Sequence, residues 1–76
     1  MNSVGDNIRE LRKEAGLNRE QLAEITNVHE NTVMNWEIGS TIPSIYHLDL
    51  LCEALNCGYH SILGDRIYGR TMNEAK

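Results

Sequence analysis

Apolar residues recur at helical spacing through most of this chain, and the polar residues between them mark where each helix starts and stops. Val4, Ile8, Leu11 and Ala15 fall on one face of a helix predicted over residues 4–15. Ser3 is placed to cap its start, Asp6 favours the positive end of its dipole, and Gly16 is a natural stop. A second helix is predicted from Asn18, whose spacing to Gln21 resembles a capping box, with Leu22, Ala23 and Ile25 facing inward. Asn27 then stands where a tight turn needs a positive φ, which asparagine tolerates better than most residues, and Val28 follows as a buried plug. The stretch "HENTVMNWEIG" reads as a third helix with His29 at its N-cap and Gly39 at its end. A fourth runs from the N-cap Ser44 to Leu55, with Ile45, Leu48, Leu51, Cys52 and Leu55 at three-and-four spacing. A short fifth covers Tyr59 to Leu63 and stops at Gly64. The lone proline, Pro43, sits between helical patterns, where it breaks neither.

No strand-like alternation of useful length occurs, so the expected fold is all-α: a compact domain of five short helices over residues 1–64. Residues 65–76 read as a C-terminal tail, either loose or in contact with a partner. The link from Asn27 to His29 is too short for two helices to fold back antiparallel. It suits a sharp corner, as in a helix-turn-helix unit.

Composition adds limits to this picture. A chain of 76 residues buries only about 60% of the surface its unfolded form exposes, so its stability margin is thin. No segment approaches the roughly 18–20 consecutive apolar residues that span a bilayer. The start "MNSVGDNIRE" lacks the apolar centre of a secretion signal, and the expected location is cytoplasmic. The two cysteines, Cys52 and Cys57, are too few for a disulfide framework, and no metal-ligand spacing accompanies them. Cys52 falls on an apolar stripe and reads as a small buried thiol.

The formal net charge is −4, which opposes simple attraction to nucleic acid, because phosphate contacts normally dominate such affinity. The distribution matters more than the sum. Arg9, Arg12, Lys13 and Arg19 cluster early, and no Lys or Arg follows until Arg66. Any basic footprint therefore comes from the first nineteen residues or from the tail.

The segment "LNREQLAEITNVHENTVMNWEIGSTIPSIYHLDLLCEALNC" resembles the helix-turn-helix domain of the lambda-repressor-like family, which includes phage Cro/CI and XRE-type bacterial regulators. The likeness covers roughly residues 4 to 64. It rests on an ordered set: Leu17, Glu20, Leu22-Ala23, Val28, Thr32-Val33, Trp36-Glu37, Gly39, Pro43, Leu48, Leu51 and Ala54-Leu55-Asn56. The resemblance implies a third helix docked in the major groove of double-stranded DNA. It also implies an ion pair between Arg12 of the first helix and Glu37 at the end of the third. By the same resemblance the base-reading positions are His29, Glu30, Asn31 and Asn35. Asn31 and Asn35 suit adenine, and Glu30 can accept from cytosine N4. A plain alternative for Glu30 is a first-turn carboxylate favoured by the helix dipole. Met34 is placed to touch a thymine methyl, and Thr32 to bond back to the cap. The implied phosphate contacts are Asn18 and Arg19 at the second helix, and Ser40 and Thr41 in the loop after the third. Arg19 departs from the family's usual glutamine and adds charge; the loop lacks the family's frequent Lys or Arg. His47 reads as a phosphate ligand when protonated, or more simply as a solvated side chain.

Three function classes can be weighed. A sequence-specific DNA-binding regulator would need two-fold pairing on a palindromic site for useful affinity. The expected homodimer surface is Tyr59, Ile62, Leu63, Ile67 and Tyr68, the first three of which could equally close the monomer core. A protein-interaction module on the same fold, binding another regulatory protein as an antirepressor or antitoxin does, fits the acidic middle of the chain and the uncharged loop at 40–42. An enzyme is poorly supported. His29, His47 and His60 lie on different elements, and there is no phosphate-binding glycine loop or paired nucleophile and base. No cofactor is expected.

Overall fold

The computed structural model describes residues 3–64. Its five helices are α1 (Val4–Glu14), α2 (Arg19–Thr26), α3 (Glu30–Ile38), α4 (Ile45–Leu55) and α5 (Tyr59–Leu63). The expected positions on the tail, including Ile67 and Tyr68, lie outside the described residues.

Local chemistry sets each boundary. The Ser3 hydroxyl accepts from the Asp6 amide at 3.1 Å, while Asp6 reaches back to the Ser3 amide. Asn18 and Gln21 form the same reciprocal box at 2.7 and 2.8 Å. Each box satisfies amides that a helix start otherwise leaves without partners. Ser44 caps α4 by accepting from the His47 amide. His29 occupies the N-cap of α3 but makes no side-chain cap.

Between α2 and α3 the chain turns at Asn27, with φ of 59° and ψ of 46°, and the amide of Val28 bonds the Ala23 carbonyl at 3.0 Å. An alanine in this left-handed conformation costs roughly 1 kcal/mol. Asn27→Ala should therefore lower the unfolding free energy measured in urea by about that amount, and Asn27→Gly should not. Equal losses in both would show that the asparagine side chain, and not the backbone angle, is what the turn requires.

Ile8, Leu22, Val33, Leu51 and Ile62 are fully buried, joined by Ala23, Trp36, Leu48 and Leu55. Burying one such large side chain contributes about 1.5–3 kcal/mol. Val4, Leu11, Leu17, Val28 and Cys52 pack partly against this centre. α3 lies against both α1 and α2, α4 packs on α2, and α5 closes over α1 and α4. The Asn7 side chain donates through Nδ2 to the Ile62 carbonyl at 2.9 Å and holds α5 to α1.

Three apolar positions expected inside are exposed. Ala15 is the exposed C-cap of α1, where the chain is already leaving the helix. Ile25 is 49% exposed; its inward place is taken by Thr26, which is fully buried with its hydroxyl donated to the Leu22 carbonyl at 2.8 Å. Ile45 is 75% exposed, because α4 begins at the edge of the body and its buried stripe starts one turn later, at Leu48.

One contact has no counterpart in the apolar pattern. Gly5 is buried where the first turn of α1 meets the end of α3. A Cβ at this position would press on the carbonyl oxygens of Trp36 and Glu37 and come within 2.8 Å of the Glu37 carbonyl carbon. The two helices approach backbone to backbone.

Candidate nucleic-acid interface

α3 is tied to the body by one side. Val33 is 0% exposed, Trp36 3% and Glu37 4%. Glu37 is a buried carboxylate, and it is held by two arginines. Arg12 donates through Nε at 2.7 Å and Nη2 at 3.2 Å, one bond to each oxygen. Its third nitrogen, Nη1, donates to the Leu17 carbonyl at 3.0 Å. Arg12 thus links α1, the α1–α2 turn and the end of α3.

The second arginine is Arg19, whose Nε donates to Glu37 Oε1 at 3.1 Å. The expected Arg12–Glu37 pair is therefore part of a three-residue cluster. Two guanidinium groups against one carboxylate leave a surplus positive charge, and the Arg19 side chain is 38% exposed. It stands at the N-terminus of α2, where free backbone amides and the helix dipole also favour an anion.

The opposite side of α3 is open. His29, Glu30 and Asn31 are exposed, and Asn35 is half-buried. Their side chains make no hydrogen bond with the rest of the described residues. They are positioned by their main chains: the His29 carbonyl accepts from the amides of Thr32 and Val33. The Asn35 carbonyl accepts from Gly39, from Ser40 at 2.9 Å and from Thr41 at 3.3 Å. Gly39 makes this wrap with φ of 88°. The loop bearing Ser40 and Thr41, both exposed, is thereby fixed to one of the expected reading positions.

His47 is half-buried. Its ring lies 5.5 Å from Trp36 and 5.4 Å from Tyr46, and its Nδ1 is 3.0 Å from the Ser44 hydroxyl. Thr32 and Met34 are half-buried. Around the loop, Ile38, Ile42, Ile45 and Tyr46 are exposed by 63, 72, 75 and 65%. Of the expected pairing surface, Ile62 belongs to the core at 0% exposure, because α5 turns it between α1 and α4. Tyr59 remains 38% exposed, with its hydroxyl donated to Asp49, and Leu63 is half-buried.

Among the described residues no helix is long and apolar enough to cross a membrane. No cluster of three or more His, Cys, Asp or Glu side chains there could hold a metal ion.

Residues 8–60 match the helix-turn-helix family HTH_3. The P22 c2 repressor protein, solved in complex with synthetic operator 9T, superposes with a TM-score of 0.79 at 27% identity, over 83% of this chain and 96% of that one. The solution structure of the DNA-binding domain of the P22 c2 repressor gives a TM-score of 0.77 at 29% identity, over 86% and 90% of the two chains. Antitoxin PezA of Streptococcus pneumoniae serotype 4 (strain ATCC BAA-334 / TIGR4) is 31% identical over 62 residues, or 82% of this chain. The chain spans 39% of the length of that antitoxin.

Proposed function

Since this chain belongs to the XRE-type helix-turn-helix family, we propose that it is a sequence-specific DNA-binding transcriptional regulator that lays α3 in the major groove and acts as a dimer on a palindromic operator. The observation that carries this reading is the division of α3. Val33, Trp36 and Glu37 hold the helix to the body, while His29, Glu30 and Asn31 are exposed and the half-buried Asn35 makes no side-chain hydrogen bond among the described residues. The likeness to a repressor solved on its operator supports the same orientation. Asn31 and Asn35 pair with adenine edges, and Glu30 accepts from cytosine. Asn18, Arg19, Ser40 and Thr41 hold phosphates and set the register. Arg19 supplies the charge that α3 and its loop lack. Pairing uses Tyr59 and Leu63 with the tail beyond residue 64. No catalytic step belongs to this function.

Two kinds of variant separate the roles. Asn31→Ala should cost about 1–3 kcal/mol on the preferred site and relax discrimination there, with little change on unrelated DNA. Arg19→Ala should weaken all sequences alike and flatten the slope of log K against log salt by about 0.9 for each phosphate that is no longer neutralised. Fluorescence anisotropy with a site selected from a random DNA pool, at two salt concentrations, reads both. Unchanged site affinity in Asn31→Ala combined with Asn35→Ala would remove α3 from base reading.

A second reading is favoured by the exposed Ile38, Ile42, Ile45 and Tyr46 beside a loop without basic residues, and by the antitoxin relative. In it the same fold binds another regulatory protein and little or no DNA. Absence of DNA binding at low salt would select this reading over the first.

A further inference from the structure

The C-terminus of α4 brings the two cysteines together. Asn56 follows the helix in the left-handed conformation, with φ of 55°, and the Cys57 amide then bonds back to the Cys52 carbonyl at 3.0 Å. This is the six-to-one bond of a Schellman ending, which draws the side chains flanking it into contact. An apolar contact between these two positions often accompanies such an ending; here both are thiols, both free and both half-buried. We propose that Cys52 and Cys57 form a dithiol site that a low-molecular-weight disulfide oxidises to a reversible disulfide within one chain, closing the corner between α4 and α5.

The two sulfurs have different roles. Burial pushes the Cys52 thiol up to about 11, with Cys57 and then Asp49 adding to the effect. Burial also raises Cys57, but its interaction with the Cys52 thiol opposes that rise. Cys57, beyond the end of α4 and the less strongly raised of the two, is the attacking sulfur in this proposal. Its thiolate attacks glutathione disulfide, forms a mixed disulfide and expels one glutathione thiolate. Cys52 then gives up its proton and attacks the Cys57 sulfur, expelling the second glutathione. Two protein thiols become one disulfide, the oxidant becomes two thiols, and the two protons pass to them.

The full chain, incubated with glutathione disulfide, acid-quenched and weighed intact, should lose two hydrogen atoms and remain a single chain, with the mass restored by dithiothreitol. Cys52→Ser should stall as one stable glutathione adduct on Cys57. Cys57→Ser should react several-fold more slowly. A wild-type chain that keeps glutathione on either cysteine, links to a second chain, or stays reduced while Cys52→Ser is modified would overturn the proposal.

Discussion

Gly5→Ala is expected to destabilise the domain by about 3 kcal/mol, near the top of the range for overpacking a closed contact. In a domain of this size that corresponds to a fall in Tm of about 12–24 °C. The added methyl would collide with main-chain atoms of Trp36 and Glu37, and a backbone carbonyl cannot swing aside as a side-chain tip can. The first turn of α1 and the end of α3 would have to separate, disturbing Glu37 at the same time. Gly58→Ala is the control, because a Cβ there meets nothing within 4 Å; its cost should stay within about 1 kcal/mol, the loss of a glycine N-cap. Thermal unfolding followed by circular dichroism compares the two. If Gly5→Ala melts with the wild type, the close approach of α1 and α3 is not a packed contact.

Glu37→Gln is expected to cost about 3–5 kcal/mol, the range for breaking a buried ion pair from one side. The amide would replace one acceptor oxygen by a donor facing guanidinium donors, while Arg12, with a side chain 9% exposed, keeps its charge away from water. Arg19 should suffer less, since its more open side chain can return to solvent. Arg12→Met combined with Glu37→Leu should recover much of the loss, because an apolar pair of similar volume removes the stranded charge. Urea unfolding of the wild type and the two variants measures this, and an unchanged midpoint in Glu37→Gln would refute the clamp.

These two sites differ in how far they can be read from the chain. Arg12 and Glu37 are legible through the ordered likeness around Trp36 and Gly39. Helix boundaries are legible because caps and left-handed turns depend on one or two residues, as at Ser3, Asn18, Asn27 and Ser44. Gly5 is not legible, because its partners are main-chain atoms more than thirty positions away, and main-chain atoms leave no trace in residue type. Arg19 reads as a phosphate ligand from its place at the start of α2; its bond to Glu37 crosses from one helix to another and has no local signature. Periodicity misplaces Ile25 for a related reason. It counts Thr26 as polar, whereas a hydroxyl bonded to its own helix is cheap to bury. The reading positions proposed on α3 follow from the family likeness; His29, Glu30 and Asn31 are exposed and Asn35 is half-buried, and which bases they would prefer is chemistry that a helix alone does not fix.

The carbonyls of His29 and Asn35 organise the start of α3 and the loop after it. These bonds belong to the peptide group and are the same for every amino acid that tolerates the backbone angles. If α3 reads bases as proposed, a lineage carrying this domain can exchange the exposed His29, Glu30 or Asn31 with little penalty to folding and arrive at a different target sequence. The stability of the scaffold and the identity of its target are separable under selection.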